Sequence, residues 1–211
     1  MKHLGHKLDE YINVWGRFTF LLPFALLYSF YKGIPEVQNI YWFYSLLSGV
    51  FVAISTVFLS KAFKKSDISI SIAIWKSSAV ISILILGIIF LNENITLIKL
   101  CGILVIIFGV YIFNVEKTKI SYIEPIKMLA KEEGIKFAML AGLTLGITMV
   151  FFKKTILLAD PFFPVFTNYL FASIVMLPLI ITKSSKHFKS IPKYFCALNI
   201  IGSTAVEIII V

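Results

Sequence analysis

The chain has 211 residues, 59% of them hydrophobic and 15% charged, with a formal net charge of +9 and a mean hydropathy of +0.92. A soluble domain carries about 45–50% apolar and about 25% charged residues, so this chain has too little polar surface to face water all round and reads as a polytopic membrane protein. Its lysines fall between the apolar stretches, where topology and anionic lipid account for them, and no basic–aromatic module of a nucleic-acid binder accompanies them.

The opening "MKHLGHKLDEYIN" has no apolar core after its charges and does not read as a cleavable signal peptide. Seven spans of about the length a bilayer requires follow, at 15–31, 40–60, 69–90, 96–114, 137–157, 162–182 and 194–211. They are continuous apolar runs and not ten-residue alternating segments, so helices are expected and strands are not. Lys2 and Lys7 precede the first span. Lys61, Lys64 and Lys65 follow the second, Lys117, Lys119, Lys127 and Lys131 the fourth, and Lys183, Lys186, Lys189 and Lys193 the sixth. The opposite connections, 32–39, 91–95 and 158–161, hold only Lys32. The positive-inside rule puts the lysine-rich connections in the cytoplasm, with the chain starting inside.

Between the third and fourth spans lies Asn92-Glu93-Asn94. Glu93 reads as a helix corner at the membrane edge, where a carboxylate stays hydrated, with Thr96 placed to cap the helix that follows. The longest connection, 115–136, repeats Ile120, Ile123, Ile126 and Leu129 every three residues. Pro125 can open and Gly134 can close a short interfacial helix there; a plain solvated loop is the alternative.

Charges inside spans are costly and are the best functional candidates. Lys76 lies about eight residues into its span, among Ser69, Ser77 and Ser78. It can hold an anionic substrate or counter a carboxylate, or else reach the interface as an anchor. Arg17, nearer a span end, reads as an anchor or a pathway residue. Glu207 in "STAVEIIIV" can carry a proton or a cation. Lys153 and Lys154 read as anchors. Gly102 with Gly109, and Gly142 with Gly146, read as helix-packing faces, and Pro23 and Pro178 as kinks. Cys101 and Cys196 lie in apolar runs and read as packers, and His3, His6 and His187 lie in basic stretches, so neither a metal nor a cofactor is expected.

The chain also repeats itself. Residues 2–20 lie on 153–171: Lys2, Asp9, Val14 and Phe20 match Lys153, Asp160, Val165 and Phe171, Trp15 meets Phe166, and Arg17 meets Asn168. Further on, Tyr41 and Gly49 match Tyr194 and Gly202. An odd number of spans separates the copies, so they are inverted in the membrane, as transporter repeats are. Asn168, polar inside its span, then becomes a further pathway candidate. The first copy lacks the helix that opens the second, and the second stops inside its third helix. The expectation is therefore a chain truncated at both ends, with a first repeat at 1–114, a linker at 115–136 and a second repeat at 137–211.

Residues 59–114 resemble the EamA-like domain of the drug/metabolite transporter superfamily. Lys61-Ala62-Phe63 resembles the "K-A-L" that ends its third helix, Asp67-Ile68-Ser69 the polar start of its fourth, Leu91-Asn92-Glu93 the "L-G-E" after it, and Gly102 and Gly109 its "G…G-V-Y". Asn92 departs from the pattern by replacing the glycine. The resemblance implies an all-α integral membrane protein of ten helices in a 5+5 inverted repeat, of which this chain would hold seven. It also implies residue 1 outside, against the lysine count, so absolute orientation stays open.

The function expected is secondary transport of small metabolites or drugs across the cell membrane, by alternating access between the repeats. Partners would be a small-molecule substrate and the lipid bilayer, with no nucleic acid; oligomeric state is not legible. There is no G-x-x-x-x-G-K-[ST] loop for nucleotide-driven transport. The rivals are a non-transporting membrane fragment or assembly partner, and a membrane-embedded enzyme. For the enzyme the sequence offers no H-E-x-x-H, no G-x-S-x-G and no histidine inside a span.

Overall fold

The computed structural model describes residues 10–92 and 132–184 and, between them, 96–98, 100–102, 104–105 and 108–109. Five long helices make up the larger parts: α1 (Glu10–Lys32), α2 (Asn39–Lys65), α3 (Ile68–Leu91), α4 (Glu133–Leu158) and α5 (Phe163–Lys183). No strand occurs among the described residues.

The helix ends follow local chemistry. α1 stops at Gly33, whose φ of 92° no ordinary side chain favours. Its N–H reaches back to the Phe30 carbonyl at 3.3 Å, and Pro35 forbids continuation. α3 stops at Asn92, in the left-handed region at φ 50°, ψ 37°, with its N–H returned to the Gly87 carbonyl. Asparagine is the residue besides glycine that tolerates this conformation, so the departure from "L-G-E" preserves the turn. Asn92→Gly should leave stability unchanged or slightly raised. Asn92→Val should cost about 1–2 kcal/mol, read as a lowered midpoint of thermal unfolding in detergent; equal midpoints for the two variants would remove this account of the corner. Before α5, the Asp160 carboxylate accepts the N–H groups of Phe162 and Phe163, each at 2.7 Å, and so satisfies two donors at the helix start.

α2, α3, α4 and the 163–182 stretch of α5 are long and apolar enough to cross a bilayer, and only 22–39% of each is buried within the protein. Leu27, Phe30, Ile83, Ile89 and Ile181 stand exposed. So much apolar surface belongs in lipid and not in water, and the chain is a multi-pass membrane protein. α1 forms over the expected 15–31 span but is not among these four: Asn13, Gly16, Arg17 and Pro23 dilute its apolar character.

Several expectations need correcting. Lys61, Lys64 and Lys65 do not follow a helix but form the last turns of α2. Intrahelical bonds still satisfy the backbone where a helix leaves the hydrocarbon, and long lysine stems carry the charge to the headgroups. Likewise α4 begins at Glu133, inside the expected linker, so Gly134 sits in its first turn and closes nothing. Its missing side chain makes room for Ser66, which a Cβ there would meet at 2.6 Å. Gly102 and Gly109 are exposed, and a Cβ at either meets nothing within 4 Å among the described residues, unlike the packing face expected. The expected 96–114 span is described in part. Thr96 immediately precedes a helical stretch, its carbonyl accepting the Leu100 N–H at 3.1 Å. Glu93, residues 115–131 of the linker and the 194–211 span with Glu207 lie outside the described residues.

The chain divides into two compact units, one of residues up to 53 and from 151, the other of residues 54–150. In the first, α1 packs on α5, and Ile12, Val14, Phe18, Leu21, Met176 and Ile180 are buried. In the second, Ala62, Ile74, Ile135 and Ala138 form a small core flanked by Ile70, Trp75 and Phe137. α4 lies close against α3 there, because a Cβ on Gly142 would meet the Trp75 carbonyl at 2.6 Å and the Ala79 nitrogen at 2.8 Å, and Gly146 lies against Ser82. The Gly142/Gly146 face thus packs as expected. Ser82 Oγ of α3 fastens it by donating to the Leu143 carbonyl at 3.1 Å, and Ser55 Oγ ties α2 to α4 by donating to the Ala141 carbonyl at 2.7 Å. At the end of α2, Lys65 pairs with Glu133, and the Lys61 and Lys65 ammoniums lie 5.8 and 5.2 Å from the centre of the Phe137 ring.

Candidate functional site

Among the described residues of the first unit, a buried polar seam lies between α2 and α5. Tyr41, Ser45, Ser48 and Gly49 recur at helical spacing on one face of α2 and meet Thr167, Asn168 and Phe171 of α5. Thr167 is the hub. Its hydroxyl donates to the Pro164 carbonyl at 3.2 Å and accepts from Ser45 Oγ at 2.8 Å. The Tyr41 hydroxyl lies 2.7 Å away and supplies the second donor, so one donor and two lone pairs are all used. One step along, Ser48 Oγ donates to Asn168 Oδ1 at 3.2 Å. Tyr41, Ser45, Ser48, Thr167 and Asn168 are all buried. The helices approach closely here, because a Cβ on Gly49 would meet the Phe171 side chain at 2.5 Å.

Aromatic rings close one end of the seam. Tyr41 stacks on Phe163 with centroids 5.7 Å apart, and Trp42 sets its edge against Phe163 and Phe171. On α4, the Lys154 ammonium lies 5.1 Å from the centre of the Tyr44 ring, a cation–π contact that suits its reading as an anchor.

Asn168 therefore lies within this seam, on the helix that packs against α1. Its counterpart Arg17 is half-buried on α1 in the same unit. Lys76 belongs to the second unit, on an exposed position of α3, with its ammonium 4.5 Å from the centre of the neighbouring Trp75 ring. The Trp75 indole N–H is buried and meets no acceptor among the described residues. Arg17 and Asn168 thus belong to one unit and Lys76 to the other, while Glu207 and Glu93 lie outside the described residues. Among the described residues no three His, Cys, Asp or Glu side chains converge as metal ligands do.

Sequence reasoning names Tyr41 only as a repeat match and does not single out Ser45, Ser48 or Thr167. Their signal was present as polar residues at i, i+4 and i+7 in an otherwise apolar helix. It means little until the partner helix, some 120 residues away in sequence, is known. Chemically the seam is neutral, with the Thr167 hydroxyl and Asn168 Oδ1 hydrogen-bonded within it. It can hold two helices in register and present an amide to a polar solute, and it contains no ionised group.

The EamA-like transporter family model matches residues 1–115 of this chain. No curated protein and no solved structure matches it. With more than half its length inside that match, the chain belongs to the EamA-like transporter family.

Proposed function

We propose that the chain is a secondary transporter that moves small metabolites or drugs across the cell membrane by alternating access, its two inverted repeats occupying 1–114 and 137–211 with a linker at 115–136. The observation that carries this reading is the family match over residues 1–115; the long helices, mostly exposed as lipid-facing helices are, support it. No enzymatic step is proposed.

The pathway residues we assign are Arg17, Lys76, Asn168 and Glu207, because polar and ionisable groups at membrane depth persist where they meet substrate, ions or each other. Arg17 and Asn168 support the assignment as counterparts on two helices that pack together. Lys76 stands eight residues from the start of α3, about 12 Å along the axis. Side chains tilt toward the helix N-terminus, so its ammonium leans toward the nearer membrane face, and the Trp75 ring supports it. An ammonium in that position suits an anionic group arriving from that side. Glu207 would be the carboxylate that exchanges a proton or cation.

The purified chain, reconstituted in vesicles and screened for flux of small charged and polar solutes, tests the reading. Once a solute is found, Lys76→Ala should lower its transport about tenfold, the loss of one charge-assisted contact, and Lys76→Arg should restore much of it. Equal flux for Lys76→Ala and the parent would remove Lys76 from the pathway. Absence of flux for every solute from correctly inserted protein would overturn the transporter reading.

A further inference from the structure

One buried donor in the second unit is left over. The Trp75 indole N–H is buried and meets no acceptor among the described residues. An indole nitrogen can only donate, so nothing but an acceptor satisfies it. Its neighbours on α3 fare better: Ser71 Oγ lies 3.0 Å from Ser66 Oγ, and Ser77 and Ser78 both donate to the Ile74 carbonyl, at 3.0 and 2.7 Å. A tryptophan of the aromatic belt sits at headgroup level with its polar edge wet. The Trp75 ring instead packs on an apolar cluster of Ala62, Ile74, Ile135 and Ala138, with Ile70 and Phe137 beside it. It stands seven residues from the start of α3, about 10 Å along the axis. Hydrocarbon at that depth offers no hydrogen-bond partner, so an orphaned donor there is costly.

A charge lies over the same ring. The Lys76 ammonium is 4.5 Å from its centre, against 5.1–5.8 Å for the other lysine–ring pairs among the described residues. An ammonium carries three donors, so its hold on the ring leaves it able to take an oxygen as well. We propose that Trp75 Nε1 and Lys76 Nζ together hold one carboxylate of the transported solute, one oxygen on each, and that the solute is a monocarboxylate with an apolar body. This rests on the placement of Lys76 in the transport pathway above. One positive charge and one neutral donor match one carboxylate, which has two oxygens and no proton to give. The side chains around the ring, Ile70, Ile74 and Phe137, offer nothing to a second polar group, so the rest of the solute is apolar. To meet its acceptor the half-buried indole turns its rim toward the ammonium. The penalty of the stranded N–H is present in the empty protein and vanishes when the carboxylate arrives, so relief at Trp75 helps to drive binding. A solute that leaves the donor unpaired is rejected for the same reason, and a neutral amide forfeits the charge-assisted bond to Lys76.

Calorimetric titration of the full chain in lipid nanodiscs tests this with butyrate and, as its uncharged counterpart, butyramide. Butyrate should bind saturably and butyramide about tenfold more weakly. Trp75→Phe and Lys76→Gln should each weaken butyrate about tenfold. Parent-like butyrate affinity in either variant, equal affinity for the two solutes, or no saturable binding of butyrate overturns the pair. Should a variant fail to fold, Trp75 itself reports. In a Trp15→Phe, Trp42→Phe protein its fluorescence should move to longer wavelength as butyrate binds, because the N–H gains an acceptor; unmoved emission at saturating butyrate sinks the pairing. Binding is read here without flux, so the two readings fail separately. If butyrate binds through Trp75 but no solute crosses the membrane, the carboxylate site stands and the transporter reading falls. If a solute is carried whose binding leaves Trp75 emission unmoved, transport stands and this site falls.

Discussion

Gly142→Leu should destabilise the protein by about 3 kcal/mol, the largest loss expected of any single substitution considered. The reason is backbone proximity. A β-carbon at that position runs into the Trp75 carbonyl, the Ala79 nitrogen and the Ser78 hydroxyl of α3, and two of those three are main-chain atoms that cannot rotate away. The helices must part, which also strains the Ser82 hydrogen bond to Leu143 and the Ser55 hydrogen bond to Ala141. Intrinsic propensity opposes this loss, because replacing a helical glycine by a better helix former gains about 0.5–1 kcal/mol. The contrast with Gly102 is therefore sharp. There a side chain meets nothing within 4 Å among the described residues, so Gly102→Leu should be neutral or mildly stabilising. Steric-trapping or thermal unfolding in bicelles reads both. A Gly142→Leu protein as stable as its parent would show that α3 and α4 do not approach as described.

Thr167→Val should be the second costly change, although it keeps side-chain volume nearly constant. It removes the hydroxyl on which Tyr41 and Ser45 both converge and strands two buried groups at once. In water-soluble proteins each stranded group costs about 1–3 kcal/mol. Interhelical hydrogen bonds in membranes average only about 0.6 kcal/mol and reach about 1.7. The membrane figure governs here, since the separated helices also find partners within the bilayer. Two bonds then predict a loss of about 1–3 kcal/mol. A double-mutant cycle with Ser45→Ala isolates one of them: a coupling of about 0.6–1.7 kcal/mol is expected, and zero coupling would mean that the seam contributes shape and not hydrogen bonding.

The helices inside the hydrocarbon were legible because apolar runs of bilayer length have few other readings, and α1 to α5 each cover an expected span. Their ends were less legible. A lysine cluster marks the membrane face equally well whether it lies on a loop or on a last helical turn, so Lys61, Lys64 and Lys65 looked like connection and are helix. The Leu91-Asn92-Glu93 corner was read through its glutamate, yet the residue that makes the turn is Asn92, whose role depends on a left-handed backbone that no composition reveals. For the candidate site, Asn168 stood out as a lone amide in an apolar run. The serines and threonine that surround it did not, because a hydroxyl in a membrane helix can satisfy itself on its own preceding turn, as Ser29 does on Ala25 and Thr182 on Pro178. Which hydroxyls reach across instead is decided by the neighbouring helix.

α2 carries one more consequence. Its 27 residues span about 40 Å, against a hydrocarbon layer of about 30 Å. The surplus is the lysine-bearing end, whose long stems carry its charges among the headgroups. That end is where Lys65 meets Glu133 at the start of α4. An ion pair among headgroups is hydrated and open to salt, so added electrolyte weakens the Lys65–Glu133 tie between α2 and α4 while leaving the contacts inside the hydrocarbon untouched.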